Sequence, residues 1–207
     1  MVERQLQRRG IRDPRVLEAM RRVPRHEFIP ETYRHMAYDD EPTPIGCGQT
    51  ISQPYMVAAM AEALALTGAE RVLEVGAGSG YHAAVLAELA ADVLTIEREP
   101  ALVAAARENL ARTGYARVRV MEGDGSLGYP EAASFDAISV AAGAPEVPFR
   151  LLEQLDERHG RLVIPVGSRD DQELRLICKS LEGLRTRIVN YCRFVPLLGA
   201  QAWKVEE

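Results

Sequence analysis

Residues 71–81, RVLEVGAGSGY, decide the fold of this 207-residue chain. Residues 71–75 have the short apolar character of a buried strand, and they run directly into a turn that contains Gly76, Gly78 and Gly80. Because glycine has no Cβ atom, such a turn can bend sharply and let the backbone approach a ligand. The stretch therefore predicts a strand, a glycine-rich turn and a following helix.

Strand and helix patterns continue to alternate downstream of this stretch. Helices are predicted over residues 81–91 and from Pro100 to Gly114, where glycine is a typical helix-ending residue. Further strands are predicted over residues 92–97, 118–121, 135–140 and 160–166. Two last β segments, 173–180 and 185–194, lie too close together for a helical crossover and should form an antiparallel hairpin. The pattern predicts an α/β fold with a doubly wound, mostly parallel seven-stranded sheet and this C-terminal antiparallel hairpin.

An N-terminal helical extension precedes the predicted sheet. Asp13 followed by Pro14 is typical of a helix start, with Asp13 as the capping residue. The prolines and glycines of residues 42–52 favour an extended loop, and another helix is predicted over residues 54–66. We interpret this part of the chain as an extension that precedes the main fold.

Length and composition limit the class of protein. The length suits one domain over residues 1–207, with the extension and its loop in residues 1–66 and the sheet core in residues 67–207. The net charge of −5 argues against a strongly basic nucleic-acid-binding protein, although residues 1–34 carry nine arginines against five acids. No apolar run is long enough to span a membrane, and three scattered cysteines favour free thiols over a disulfide framework or a metal site. We expect a cytoplasmic monomer that binds neither nucleic acid nor membranes and holds no metal.

The glycine turn indicates which kind of ligand the sheet binds. In doubly wound sheets, ligands lie outside the carboxyl ends of the strands, where the strand order reverses. A dinucleotide site needs glycine or alanine where Tyr81 stands, and the turn has no basic residue for a phosphate-binding loop. Glu74, just before the first glycine, would repel phosphates but attract a cationic ligand. The turn therefore favours a positively charged nucleoside.

Two further strand ends carry acidic residues. Glu97 ends the next strand, 17 residues beyond Gly80, where a carboxylate can accept hydrogen bonds from both ribose hydroxyls. The strand after that is followed by Gly123, Asp124 and Gly125, and an acid between two glycines can meet the amino group of adenine. These signals at three successive strand ends predict a site for S-adenosylmethionine.

Three other segments resemble one family of methyltransferases. They read IGCGQTISQPY at residues 45–55, RLVIPVG at residues 161–167 and RFVPL at residues 193–197. With them, the chain resembles the bacterial form of the protein-L-isoaspartate O-methyltransferase family over essentially its whole length. Residues 71–81 and 135–142 look like general motifs of class I methyltransferases, and they are specific only to that superfamily. The resemblance implies a Rossmann-like methyltransferase fold.

The resemblance also implies a protein-repair activity. Such enzymes transfer a methyl group from S-adenosyl-L-methionine to the free α-carboxylate of L-isoaspartyl residues in damaged proteins. By the same similarity Ser52 is the catalytic residue, although Ala141 and residues 198–203 depart from the common family pattern. The implied cofactor contacts are Gln49, Thr50, Ile51, Ser52, Glu97, Gly123, Asp124 and Gln201. The implied substrate contacts are Ser52, Val195, Pro196 and Leu197.

The expected chemistry needs few catalytic groups. A carboxylate with a solution pKa of about 4 is already ionised at neutral pH, so no general base is required. We hypothesise that the Ser52 hydroxyl holds one carboxylate oxygen and leaves the other facing the methyl donor. The alternative is that Ser52 only caps the helix predicted to follow it.

Other functions remain open at the level of the sequence. One alternative is a methyltransferase that acts on another carboxylate or on a small-molecule oxygen. Enzymes that methylate DNA or amide nitrogens typically need an Asn/Asp-Pro-Pro-aromatic motif after the fourth strand, where residues 139–145 read SVAAGAP. Tyr81 disfavours a nicotinamide-dependent oxidoreductase, whereas a non-catalytic cofactor-binding module stays open.

Overall fold

The computed structural model describes residues 1–204, so residues 205–207 of the predicted domain lie outside the described part. The α-helices are α1 (Pro14–Arg22), α2 (Pro54–Leu64), α3 (Tyr81–Ala87), α4 (Pro100–Arg112) and α5 (Phe149–Glu153). The strands are β1 (Thr43–Gly46), β2 (Gln49–Ile51), β3 (Arg71–Val75), β4 (Asp92–Glu97), β5 (Arg119–Glu122), β6 (Ala137–Val140), β7 (Arg161–Gly167), β8 (Gln172–Ser180) and β9 (Gly183–Cys192). Short helical turns cover Val2–Leu6, Gln7–Arg9, Arg25–Phe28, Glu31–Met36, Gly125–Leu127 and Pro130–Ala132.

Seven of the strands form one sheet in the order β5-β4-β3-β6-β7-β8-β9. Neighbouring strands from β5 to β7 are parallel, whereas β8 and β9 continue the sheet as an antiparallel hairpin. The predicted doubly wound, mostly parallel seven-stranded fold is confirmed. From β3 the chain builds outward to β4 and β5, and it then returns to place β6 on the other side of β3. This reversal opens a crevice at the carboxyl ends of β3 and β6.

Apolar residues cover both faces of the sheet, as expected for parallel strands that lie between helices. Side chains alternate along a strand, so Val72 of β3 belongs to one apolar cluster and Leu73 and Val75 belong to the other. The first cluster also contains Leu6 and Met20 of the N-terminal extension. The extension therefore packs onto the sheet as part of a shared core.

The element ends follow local hydrogen bonding. The bounds of β3 and β4 are those predicted, and Asp13 caps α1 by accepting a hydrogen bond from a first-turn N–H at 2.8 Å. Helix α3 ends at Ala87, before its predicted end at residue 91, because the amides of residues 91 and 92 turn to the Glu70 carbonyl. The sequence analysis did not identify α5, a five-residue helix too short to show a helical period.

Within residues 42–52, where the sequence predicted an extended loop, strands β1 and β2 form an antiparallel ribbon. Strand β1 pairs with β2 around a two-residue turn at Cys47 and Gly48. Both residues have positive φ, 52° and 69°, as in the type I′ turns that connect hairpin strands. Pro44 is compatible with this pairing because each strand of a two-stranded ribbon has a free edge. The ribbon ends directly before α2, at the crevice of the large sheet.

Across residues 1–204, no helix combines the length and the apolar content that a membrane crossing requires. The same residues include no group of three or more His, Cys, Asp or Glu side chains placed to hold a metal ion. Cys47, Cys178 and Cys192 are free thiols, as the sequence predicted.

Candidate active site

A cavity of about 80 Å³ lies at the carboxyl ends of β3, β4 and β6. Its lining includes Gln49, Thr50, Val75, Gly76, Gly78, Ile96, Glu97, Arg98, Glu99, Gly125, Ala141, Ala142, Val195, Pro196, Leu197 and Leu198. Five of the predicted cofactor contacts are therefore brought together here: Gln49, Thr50, Gly76, Gly78 and Glu97. We call this space the strand-end cavity.

The glycine turn forms one wall of the strand-end cavity. Gly76 and Gly78 line it with φ values of 92° and 53°, in the left-handed region that favours glycine. Gly80 has a different role, since a Cβ atom there would lie 3.0 Å from the Cγ of Leu110 on α4. The first two glycines thus bring the backbone to the cavity, and the third permits α3 and α4 to pack closely.

Glu97 ties the end of β4 to the glycine turn. Its Oε2 accepts a hydrogen bond from the Gly78 N–H at 2.9 Å. Its Oε1 accepts from the N–H groups of Arg98 at 2.8 Å and Glu99 at 3.1 Å. Two carboxylate oxygens offer about four acceptor sites, so this side chain can still accept a hydrogen bond from a ligand.

Asp124 holds the C-terminal segment, residues 198–201, against the end of β5. Its Oδ1 accepts from both the N–H and the hydroxyl of Ser126, at 2.9 and 2.7 Å. Its Oδ2 accepts from the Ala200 N–H at 2.7 Å, and the Gln201 N–H donates to the Ser126 hydroxyl oxygen at 3.0 Å. Neither Gly123 nor Asp124 is among the residues that line the strand-end cavity, although Gly125 is. The Gln201 side chain lies elsewhere, with its Oε1 accepting from a backbone N–H of α5 at 3.0 Å.

Glu74 is fully buried on the face of β3 that is covered by α3, outside the cavity lining. The Thr95 hydroxyl of β4 donates to its Oε2, and the His82 Nδ1 of α3 lies 3.5 Å from its Oε1. Ser139 of β6 pairs with Glu74 in the sheet register and is also fully buried. Strand alternation therefore places the Glu74 carboxyl in a polar cluster of the interior, not against the ligand space that the sequence suggested.

Burial sets the protonation of this cluster. Loss of hydration raises the pKa of Glu74 to about 8, and it lowers the pKa of His82 to about 4. At neutral pH both side chains are therefore largely uncharged, and their contact is not an ion pair. A neutral Glu74 does not supply the negative charge that a cationic ligand would need.

A second cavity, of about 590 Å³, adjoins the strand-end cavity. The two share Thr50, Ala141, Val195 and Pro196 as a common wall. The Gly143 N–H donates to the Val195 carbonyl at 2.8 Å, and the Leu197 N–H donates to the Gly143 carbonyl at 2.8 Å. These two bonds fix the wall to the end of β6. We call the second space the outer cavity.

Ser52 lines the outer cavity at the point where the ribbon ends. The N-cap residue of α2 is Gln53, whose side chain bonds to Asp40 and does not cap the helix. Ser52 therefore does not cap helix α2, which was the alternative to a catalytic role. In the hydrogen bonds of the described residues, Ser52 takes part through its carbonyl oxygen, so its hydroxyl is available to a ligand. Ile51, by contrast, is buried in the core.

Comparison with known proteins identifies the family. The family model described as protein-L-isoaspartate(D-aspartate) O-methyltransferase (PCMT) matches residues 1–202. This chain belongs to that family. Protein-L-isoaspartate O-methyltransferase 2 of Marinobacter nauticus is 58% identical over 205 residues, covering 98% of this chain and 93% of the relative.

Solved structures agree with the family assignment. A Plasmodium falciparum protein described as a protein-L-isoaspartate O-methyltransferase, in complex with S-adenosyl-L-homocysteine, has a TM-score of 0.81 at 29% identity, covering 93% of this chain and 94% of that chain. Another protein-L-isoaspartate O-methyltransferase has a TM-score of 0.81 at 30% identity over 95% of this chain, which spans 64% of that chain. The predicted protein-L-isoaspartate methyltransferase activity and its cofactor, S-adenosyl-L-methionine, are confirmed. An oxidoreductase and a DNA methyltransferase are thereby excluded.

Several cavity residues of this methyltransferase were not identified from the sequence. Ala142 and Ile96 line the strand-end cavity beside the glycine turn, and Arg9 and Asn190 line the outer cavity. The rule that singled out Glu97 also applies to residues 141–142, because they directly follow a predicted strand. Arg9 and Asn190 are distant in sequence from every predicted strand end of the parallel sheet, so no local signal identifies them.

Proposed function

We propose that the two cavities form one methyl-transfer site, in which the strand-end cavity binds S-adenosyl-L-methionine and the outer cavity binds the isoaspartyl residue. The observation that carries this proposal is their common wall of Thr50, Ala141, Val195 and Pro196. Because the two cavities meet at these side chains, a ligand in one can contact a ligand in the other. The proposal gives Ser52 the substrate side and the glycine turn the cofactor side.

The residues of the strand-end cavity suit an adenosyl cofactor in their chemistry. The Glu97 carboxylate can accept from ribose hydroxyls, and Val75, Ile96 and Leu197 offer apolar walls. The volume of about 80 Å³ is well below the roughly 300–1,000 Å³ of typical small-molecule sites. We infer that residues 198–201 move outward when the cofactor enters, which releases Asp124 from the Ala200 N–H for a new partner.

The reaction requires alignment of the carboxylate with the methyl group and does not require an acid or a base. The cofactor supplies a methyl group on a positively charged sulfur. The Ser52 hydroxyl would donate a hydrogen bond to one oxygen of the substrate carboxylate and so orient the other oxygen toward the strand-end cavity, where the methyl donor would bind. Because Gly143 bonds to the backbone of Val195 and Leu197, the common wall can hold the two ligands in alignment. Such alignment supplies several kcal/mol of the barrier reduction, and low hydration favours a reaction in which opposite charges disappear.

Methyl transfer to matched peptides tests the proposed substrate. One peptide is prepared in isoaspartyl and normal aspartyl forms and incubated with cofactor carrying a radiolabelled methyl group. We expect base-labile label on the isoaspartyl form alone. Equal labelling of both forms would contradict the proposed substrate, and base-stable label would contradict ester formation.

We further propose that the chain works as a cytoplasmic monomer that binds neither nucleic acid nor membranes, and that residues 1–66 and 67–207 belong to one domain. Arginines of the extension engage acids of the same chain, for example Arg9 with Asp40 and Arg22 with Glu88, which supports a structural use of its positive charge. Sedimentation velocity over a range of concentrations tests the oligomeric state. A species that grows with concentration would contradict the monomer.

A further inference from the structure

One arginine of the N-terminal extension lies inside the protein, next to Ser52. Of the nine arginines in residues 1–34, eight are exposed, whereas Arg25 has 0% of its surface exposed. It begins the short helical turn Arg25–Phe28 that follows α1. Charged side chains are almost never fully buried without a partner, so this position needs a specific explanation.

Arg25 connects the backbone of Ser52 with the start of α3. Its Nη2 donates to the Ser52 carbonyl oxygen at 2.8 Å, and its Nε donates to the Ala37 carbonyl oxygen at 2.9 Å. The guanidinium carbon lies 4.8 Å from the centroid of the Tyr81 ring. Tyr81 is the first residue of α3 after the glycine turn. One buried cation thus contacts Ser52, which lines the outer cavity, and Tyr81, the residue that directly follows the glycine turn.

The charge of Arg25 is only partly compensated. Its Nη1 is buried without a hydrogen-bond partner, and Arg25 forms no ion pair with any of residues 1–204. Tyr81, Asp40 and Tyr38 act on Arg25 electrostatically. Of these only Asp40 is a carboxylate, and it is already paired with Arg9 and bonded by Gln53. Burial lowers the pKa of Arg25, yet a guanidinium remains protonated at neutral pH. Positive charge therefore remains directly behind Ser52.

We propose that Arg25 is a positioning residue that favours an anionic group beside Ser52. This inference rests on the proposed role of the Ser52 hydroxyl in holding the substrate carboxylate. Because Nη2 holds the serine carbonyl, the guanidinium fixes the serine backbone, and its charge stabilises a negative charge in the adjoining cavity. The isoaspartyl carboxylate is anionic and its methyl ester is neutral. Arg25 therefore favours binding of the substrate over retention of the product.

Arg25→Met tests this proposal, since it removes the charge and both hydrogen bonds but keeps an unbranched side chain. We expect the KM for an isoaspartyl peptide to rise about tenfold or more, as when one member of a buried charged contact is lost. The Kd for S-adenosylmethionine, measured by calorimetry, should change far less. Arg22→Met is the matched control because Arg22 is exposed on α1, and its KM should equal that of the wild type. An unchanged KM in Arg25→Met overturns the proposal.

Arg25→Lys keeps the test decisive should the methionine variant fail to fold. Burial can lower the pKa of a lysine into the neutral range, whereas an arginine stays protonated there. The KM for the isoaspartyl peptide should therefore rise with pH in this variant as the lysine loses its proton, and stay level over the same range in the wild type. Parallel pH profiles in the two proteins overturn the proposal.

Ser52→Ala separates the proposed role of the Ser52 hydroxyl from the inference for Arg25. If it retains wild-type turnover, the proposed role of the hydroxyl fails, and the inference for Arg25 fails with it. If Ser52→Ala is slow while Arg25→Met keeps the wild-type KM, only the inference for Arg25 fails. Both stand if Ser52→Ala lowers kcat/KM and Arg25→Met raises the KM.

Discussion

Glu97 illustrates how a single side chain serves both the fold and the ligand site. Its carboxylate accepts hydrogen bonds from the backbone of Gly78, Arg98 and Glu99, and it lines the strand-end cavity. Removing it therefore takes away a ligand contact and also releases three backbone donors. Loss of a hydrogen bond typically costs about 0.5–1.5 kcal/mol, so the glycine turn should become less ordered.

Glu97→Ala should weaken S-adenosylmethionine binding by about tenfold or more, through the lost contact and the loosened turn. Isothermal titration calorimetry measures the Kd directly. Glu108→Ala is the control, because Glu108 is exposed on α4 and should leave the Kd unchanged. Equal affinity in the two variants would refute the assignment of Glu97 to the cofactor.

Glu74 gives the protein a pH dependence of stability. Its pKa is raised by burial to about 8, above the ordinary 4.5, so the folded state holds this proton more tightly than the unfolded state. The resulting stabilisation is complete below pH 4.5 and is lost as the pH rises to about 8. His82 acts in the opposite sense, because its lowered pKa of about 4 stabilises the fold above pH 6.5 and this gain is lost as the pH falls.

Glu74→Gln removes the first of these effects and leaves His82 in place. Relative to the wild type, its free energy of unfolding should increase between pH 5 and pH 8, by at most about 4 kcal/mol at about 1.4 kcal/mol per pKa unit. Urea denaturation at a series of pH values measures the difference. Glu122→Gln, at the exposed end of β5, should show no such trend. A constant difference between Glu74→Gln and the wild type would mean that Glu74 is ionised in the fold.

At the scale of elements, the C-terminal segment, residues 198–201, borders the strand-end cavity through Leu198. Asp124 and Ser126 hold the backbone of Ala200 and Gln201, and a Cβ atom at Gly199 would overlap with both of these side chains. Glycine is therefore required for the closed position of the segment. Substitution there favours the outward position that we propose for cofactor entry.

Gly199→Ala should lower the free energy of unfolding by about 1–3 kcal/mol, the usual cost of overpacking. It should also tighten S-adenosylmethionine binding severalfold, because the bond between Ala200 and Asp124 no longer has to be broken. Gly160→Ala is a matched control, since its Cβ atom would clash with the backbone of Asp156, distant from the site. It should lose stability without a change in affinity. Weaker binding by Gly199→Ala would contradict the movement of the segment.

The sequence predicted an element well where its hydrophobic pattern and its cap lie in neighbouring residues. It predicted less well the features that depend on contacts between distant segments. Strands β3 and β4 and the Asp13 cap follow from neighbouring residues. The β1–β2 ribbon was missed because its turn places the non-glycine Cys47 at positive φ. The bond from Ala200 to Asp124 joins residues 76 positions apart, which no local pattern indicates. The inward position of Glu74, in contrast, follows from strand alternation and was available from the sequence.

At the scale of the whole molecule, the N-terminal extension and the sheet share one apolar cluster, so we expect a single unfolding transition. Fluorescence of Trp203, the one tryptophan of the chain, reports on the C-terminal segment, whereas far-ultraviolet circular dichroism reports mainly on the helices. Urea midpoints from the two probes should coincide. Two separate transitions would contradict the single domain of residues 1–207.

The partition between the two cavities has a consequence for inhibition. Four of the described residues line both cavities, and one of these is Ala141, which carries no more than a methyl side chain. A bisubstrate compound would therefore be able to occupy both cavities at once. It would consist of an adenosyl group joined by a short linker to a β-linked aspartyl peptide. Its affinity would gain from the tethering of two weaker ligands, each raising the local concentration of the other.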